Sequence, residues 1–160
     1  MKLLPDKIST LEMECAIMNY FGVRQNIVVP NVFWSFFIHE VDILSLSLSN
    51  YATEVEIKVS KSDLLADAKK NHNHESALIK YLYFAVPDYL AEFALEHIPE
   101  RAGLISVHKS SYAIKIRDAE KNDIARKWSE KQVYDLLRVG VMRILGLKKK
   151  VLKYKEGERE

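Results

Sequence analysis

The chain opens with helical spacing and then changes period. In "STLEMECAIMNYFG" apolar residues recur three and four positions apart, Ser9 stands at the N-cap with Glu12 three residues on, and Gly22 supplies a stop. From about Ile27 to Ser60 aromatic and β-branched residues take over in "NVFWSFFI", "EVDILSLSLS" and "TEVEIKVS", with "SNYA" a turn between the second and third runs. "SKSDLLADAKK" predicts a helix capped by Ser60 with Asp63 at its third position. "NHNHES" reads as a polar loop, and "IKYLYFAV" is the almost wholly apolar run that fills a central strand. Pro87 and Asp88 open a helix through about His97, and "RAGLISVH" and "YAIKIRD" predict two more strands. "SEKQVYDLLRVGVMRILG" predicts a last helix, with Ser129 and Gln132 as a capping box and Gly146 near its stop.

The predicted order is helix, three-strand meander, helix, strand, helix, strand, strand, helix. That is an α/β protein with a mixed sheet flanked by helices. No repeat or low-complexity linker divides it, so residues 1–147 are expected to form one domain and residues 148–160 a C-terminal tail.

Charge changes the picture only at that tail. The formal net charge of the 160 residues is +2, but "KKKVLKYKEGERE" holds six Lys/Arg against three Glu, which leaves the body about neutral. Such a tail reads as a solvated end, with non-specific phosphate affinity as its functional alternative. The apolar runs are too short to cross a bilayer, and Pro5 and Asp6 interrupt the start where a signal peptide needs an apolar stretch. With a single cysteine, Cys15, no internal disulfide can form. A cytoplasmic protein without a membrane partner is expected.

The third predicted strand raises the chemical question. Alternate strand residues share a face, so Glu54, Glu56 and Lys58 lie together, opposite Val55, Ile57 and Val59. If the preceding hairpin closes around Ser49, Asp42 falls opposite Glu56, and Glu40 and Glu54 crowd the same face. Opposed like charges destabilise a ladder. Carboxylates converge in this way chiefly around a divalent cation, and hard oxygen ligands suit magnesium or manganese. Lys58 would then orient a water or stabilise charge on a phosphoryl oxygen, as phosphodiester hydrolysis requires. Glu14, a carboxylate inside the apolar stripe of the first helix, is a further candidate for the same group. The plain alternative is a solvated sheet face with a surface ion pair.

These residues resemble the Asp…Glu-x-Lys signature of the PD-(D/E)XK nuclease superfamily. The ordered segments "VEIKVSKSDLLADAKK", "YLYFAVP" and "IPERAGLISV" are similar to MmcB-like DNA-repair nucleases, with a general likeness to archaeal Holliday-junction resolvases. The resemblance spans about Ser9 to Arg117. It implies a restriction-endonuclease-like fold, an antiparallel meander joined to a parallel strand, and a Mg2+- or Mn2+-dependent DNA endonuclease acting in repair or recombination. It assigns Asp42 and Glu56 as metal ligands, Lys58 as the catalytic lysine, Glu14 as the glutamate that some members carry on the first helix, and the carbonyl of Ile57 as a further ligand. Products with a 5′-phosphate follow from the same resemblance. One stretch departs from it: "SFFIHE" stands where MmcB-like sequences tend to be basic.

Lys61, Lys69, Lys70 and Lys80 follow the active strand and are candidates for phosphate contacts, against the plainer reading of solvated lysines. RNA is the weaker nucleic-acid candidate. His72, His74 and Glu75 look metal-like but lack a fourth ligand at zinc spacing. Cys15 is expected to pack in the first helix, and Tyr81, Tyr83, Trp34, Phe36 and Phe37 in the core. The absence of a Gly-rich phosphate loop argues against an ATP-driven enzyme. A catalytically inactive nucleic-acid-binding or structural protein on the same fold is the competing function. The last helix is open to two roles, a homodimer interface or closure of the core.

Overall fold

A computed structural model describes residues 7–32, 40–68, 76–110 and 112–157, with the side chain of residue 156 left out. Trp34, Phe36, Phe37, Lys69, Lys70, His72, His74 and Glu75, and with them the stretch "SFFIHE" up to His39, lie outside the described residues.

The elements are α1 (Thr10–Phe21), β1 (Ile27–Val32), β2 (Val41–Leu46), β3 (Ala52–Ile57), α2 (Lys61–Ala68), β4 (Ile79–Pro87), a 3₁₀ turn (Asp88–Leu90), α3 (Ala91–His97), β5 (Gly103–Val107), β6 (Ala113–Arg117) and α4 (Glu130–Gly157). The strands form one six-stranded open sheet in the order β1-β2-β3-β4-β5-β6. Pairing is antiparallel from β1 to β3, parallel from β3 to β5, and antiparallel again between β5 and β6. The fold is thus a mixed α/β sheet flanked by helices.

Local chemistry sets the boundaries. Ser9 and Glu12 exchange both bonds of a capping box at the start of α1, and Gly22 closes it in the left-handed conformation at φ 72°. The Ser60 hydroxyl accepts from the Asp63 amide and caps α2. The β2–β3 register is centred on Ser49, with Ile43 opposite Val55 and Leu46 opposite Ala52, and Asn50 takes φ 61° in the turn.

Each face of the sheet has its own core. Met13, Ala16 and Ile17 of α1 pack on Ile43, Val55, Ile57, Ala85 and Ile105. On the other face Leu64 of α2 and Ala94 of α3 meet Leu82, Phe84, Val86 and Leu104. Both crossovers between parallel strands therefore place their helices on one side. A third cluster joins Leu136 of α4 and Trp128 to Val29, Leu44, Leu46, Ala52 and Leu78. Trp128 is its anchor: the indole N–H donates to the Leu78 carbonyl at 2.8 Å and the backbone N–H to the Asn50 carbonyl at 2.8 Å.

Two expectations are corrected. Gly146 does not end the last helix, which runs on to Gly157 through the Lys-rich segment. An interior glycine costs about 1 kcal/mol in a helix, and the leucines and lysines around it are good helix formers that outweigh it. Cys15 is exposed rather than packed, because the buried stripe of α1 runs through Met13, Ala16 and Ile17.

Trp128→Ala removes the buried indole of this cluster and its hydrogen bond to Leu78 in one step. The expected outcome is a loss of roughly 3–5 kcal/mol of unfolding free energy in urea titrations. A loss below about 1 kcal/mol would mean that α4 docks without it.

Candidate functional site

The charges of β3 do not face solvent. Glu54, Glu56 and Lys58 are 0%, 6% and 5% exposed, and they share the sheet face covered by α2 and α3, where Glu54 adjoins Leu82 and Glu56 adjoins Phe84. A solvated sheet face is therefore excluded for these three residues. Burying ionised groups is costly unless partners compensate. Lys58 Nζ lies 2.9 Å from Glu56 Oε2, so the two form a buried ion pair.

Asp42 enters from the neighbouring strand. Continuing the β2–β3 register one step past Ile43 and Val55 puts Asp42 opposite Glu56. The carboxylate Oδ2 of Asp42 accepts the backbone N–H of Ile57 at 2.7 Å. An amide and carbonyl of one strand residue point to the same side, so the Ile57 carbonyl also faces β2. On its other side the strand stays tied to β4, where the Lys58 N–H donates to the Ala85 carbonyl at 2.9 Å. The site thus sits where a side chain takes over from the backbone ladder, at the carboxyl ends of the parallel strands. Ligands of open α/β sheets bind at that end.

The electrostatics follow from this crowding. Burial pushes the Glu56 carboxyl up to about 7, the Asp42 charge adds to the rise, and Lys58 opposes it. Asp42 is also raised, again first by burial, with the Ile57 N–H and Lys58 working against it. Asp63 and Glu40 add to that rise, which places Asp63 within electrostatic reach of the group. Sequence spacing presents Asp63 only as a capping residue of α2, and nothing in the pattern marks it as a neighbour of Asp42. The β3–α2 turn brings it there, with its Oδ2 accepting the Val59 N–H at 3.3 Å.

The remaining candidates separate. Glu14 lies on α1, which packs on the opposite face, and accepts from Asn31 Nδ2 at 3.3 Å. It is held at β1 and is not brought to Glu56. Lys61 is exposed at the start of α2 on the site end, its Nζ 4.6 Å from the centre of the Phe93 ring. Lys80 sits at the other end of the sheet, over Tyr51 at 4.0 Å, roughly 13 Å along the strands from Glu56. A pairing that sequence reading does not supply occurs at the site end of β4 and β5, where His108 Nδ1 is 3.2 Å from Asp88 Oδ2. The His108 ring also stacks on Tyr112.

The donor set suits a hard cation in part. Two carboxylates and a carbonyl on adjacent strands match the few protein ligands that magnesium takes alongside water and substrate. Among the described residues no three His, Cys, Asp or Glu side chains gather at metal-binding range. Asp42 and Glu56, with the Ile57 carbonyl, are the groups here that could serve as ligands to such a cation.

No known family model matches the chain, and no curated protein matches it. The structure is similar to that of SPO1766, a protein of unknown function from Silicibacter pomeroyi, with a TM-score of 0.61 and 20% sequence identity. The match covers 98% of this chain and 97% of the other, so it extends over α4 as well as the sheet. At that identity the likeness is one of fold. Among the described residues no helix is long and apolar enough to cross a membrane.

Glu56 gives the metal-free protein a pH dependence of known sign. Its folded value lies above the ordinary 4.5, so between those limits the native state holds a proton that the unfolded chain has released. Stability from this group is greatest below about 4.5 and falls as pH rises through about 7, by roughly 3 kcal/mol in all. In chelator, Glu56→Gln should gain stability over wild type as pH rises from about 5 to 8, read by urea unfolding at each pH. A difference that stays flat would remove the strain from Glu56.

Proposed function

We propose that the protein is a metal-dependent nuclease that hydrolyses DNA phosphodiester bonds, in repair or recombination. The observation that carries this reading is the buried Glu56–Lys58 pair set against Asp42, at the open end of the parallel strands. A structural ion pair has no need of a second carboxylate that raises Glu56 further. A site for a cation and a phosphate does. The resemblance of "VEIKVSKSDLLADAKK" to MmcB-like nucleases supports the same residues.

In this reading Asp42 and Glu56 hold Mg2+ or Mn2+, with the Ile57 carbonyl as a further ligand. When bound, the cation supplies Lewis acidity and neutralises phosphate charge. The Ile57 N–H keeps the Asp42 carboxylate in place, so one oxygen of it stays directed toward β3. Lys58 Nζ, held 2.9 Å from Glu56 Oε2, would orient the attacking water or a non-bridging phosphate oxygen. The walls formed by Phe84 and the α2–α3 layer keep the local dielectric low, which strengthens each of these interactions. Lys61 stands at the mouth as a phosphate contact.

The competing reading is a nucleic-acid-binding or structural protein that has no catalysis. It is favoured by the closeness of Lys58 to Glu56, which already neutralises that carboxylate.

The test is cleavage of labelled branched, flapped, single-stranded and duplex DNA, with matched RNA, in Mn2+ and in Mg2+. Wild type should cut DNA only with the cation, and Glu56→Gln and Lys58→Ala should each lose on the order of 10²-fold or more while remaining folded. Manganese calorimetry should show binding that Glu56→Gln abolishes. Undiminished cleavage by both variants would sink the site, and metal binding without cleavage would favour the competing reading.

A further inference from the structure

The second half of α4 leaves the body of the protein at the same end as the candidate site. Three contacts fix its course. Trp128 is bonded to Asn50 and Leu78 at the hairpin end of the sheet, Gly140 packs against Val29, and Arg143 donates to the Asn31 carbonyl. The β1–β2 register, with Pro30 opposite Ile43 and Val32 opposite Val41, puts Asn31 opposite Asp42. The helix therefore runs along β1 toward the site end, where Arg143 is tied to Asn31 on the strand that neighbours Asp42.

From Arg143 to Gly157 the helix continues for roughly 21 Å, the length of about six base-pair steps of a duplex. Lys148, Lys149, Lys150, Lys153 and Lys155 all lie on this part and all are exposed. Lys149, Lys150 and Lys153 are spaced by three and four residues and share one side of it. Ile144, Leu147, Val151 and Leu152 occupy another side, with Lys148 and Lys155 among them. Most of the surplus positive charge of the chain is thus a helical row that begins beside the candidate site and extends beyond it.

We propose that this row of lysines binds the phosphate backbone of DNA engaged at Asp42, Glu56 and Lys58. This inference rests on the nucleic-acid reading above and adds the surface that grips the substrate. The near-neutral body has little charge of its own for the purpose. Each lysine acts as a point charge that releases a condensed counterion, so the contribution is sequence-independent and falls with salt.

The probe is a fluorescein-labelled mixed-sequence duplex, titrated in chelator by anisotropy across a salt series. The proteins are wild type and a variant combining Lys149→Gln, Lys150→Gln and Lys153→Gln, checked for an unchanged melting temperature. The triple variant should bind at least tenfold more weakly at low salt, with a log K against log salt slope shallower by about 2.7. Equal affinity and slope for wild type and the triple variant would overturn the inference even if Glu56 proves essential for cleavage. Lost DNA binding in the triple variant, with no cleavage by any protein, would uphold it while refuting the nuclease reading. The triple change abolishing binding to phosphatidylserine vesicles, while leaving DNA binding intact, would also overturn it and assign the row to a membrane surface.

Discussion

A central strand that carries three ionisable side chains into a nearly solvent-free face constrains everything around it. Glu54, Glu56 and Lys58 cannot turn outward, because shifting β3 by one residue would only carry them into the α1 contacts and move Val55 and Ile57 to the face covered by α2 and α3. Hydrogen bonding to β2 on one side and β4 on the other fixes that register twice. The apolar layers of α1 and of α2 with α3 then clamp the strand from both faces. The cost of the buried charges is offset by packing elsewhere, and the charges themselves are left close together at the end of the sheet.

The same strand is where the sheet changes character. On its β2 side the pairing is antiparallel and made by a short hairpin, and on its β4 side it is parallel and needs the α2 crossover. Asp42 arrives by the first route, Lys61 and Asp63 by the second. Residues far apart in role and sequence are gathered because the strand direction reverses from β2 to β3 and is kept from β3 to β4. The crossover also brings a negative charge, Asp63, toward a group that already repels itself, and this accounts for part of the rise at Asp42.

Much of the fold was legible in the residues. The capping box at Ser9 and Glu12, the Ser60 cap, the apolar run of β4 and the hairpin centred on Ser49 all rest on local chemistry and appear where that chemistry puts them. The end of α4 was not, since a glycine signals a stop only when no tertiary or propensity term carries the helix past it. For the site, strand parity places Asp42, Glu56 and Lys58 together, and burial distinguishes the group from a solvated face. Glu14 shows the limit of that reasoning. A carboxylate on an apolar stripe signals that a partner is needed, but not which one, and here the recorded partner is Asn31 in a left-handed conformation at φ 53°. Lys80 shows another: nearness in sequence to the strand of Glu56 says nothing about which end of a parallel neighbour a residue occupies.

The glycine at position 146 has one more effect. It follows closely on Arg143, which is tied to Asn31 of the sheet, and a Cβ built on it would meet nothing within 4 Å. Unwinding a helix is easiest at such a residue, since glycine lacks the conformational restriction that favours the helical state. Residues 147–157 span about 16 Å as a helix and up to about 40 Å as extended chain. Unwinding the chain beyond Gly146 would change its span more than twofold without disturbing any contact of the core.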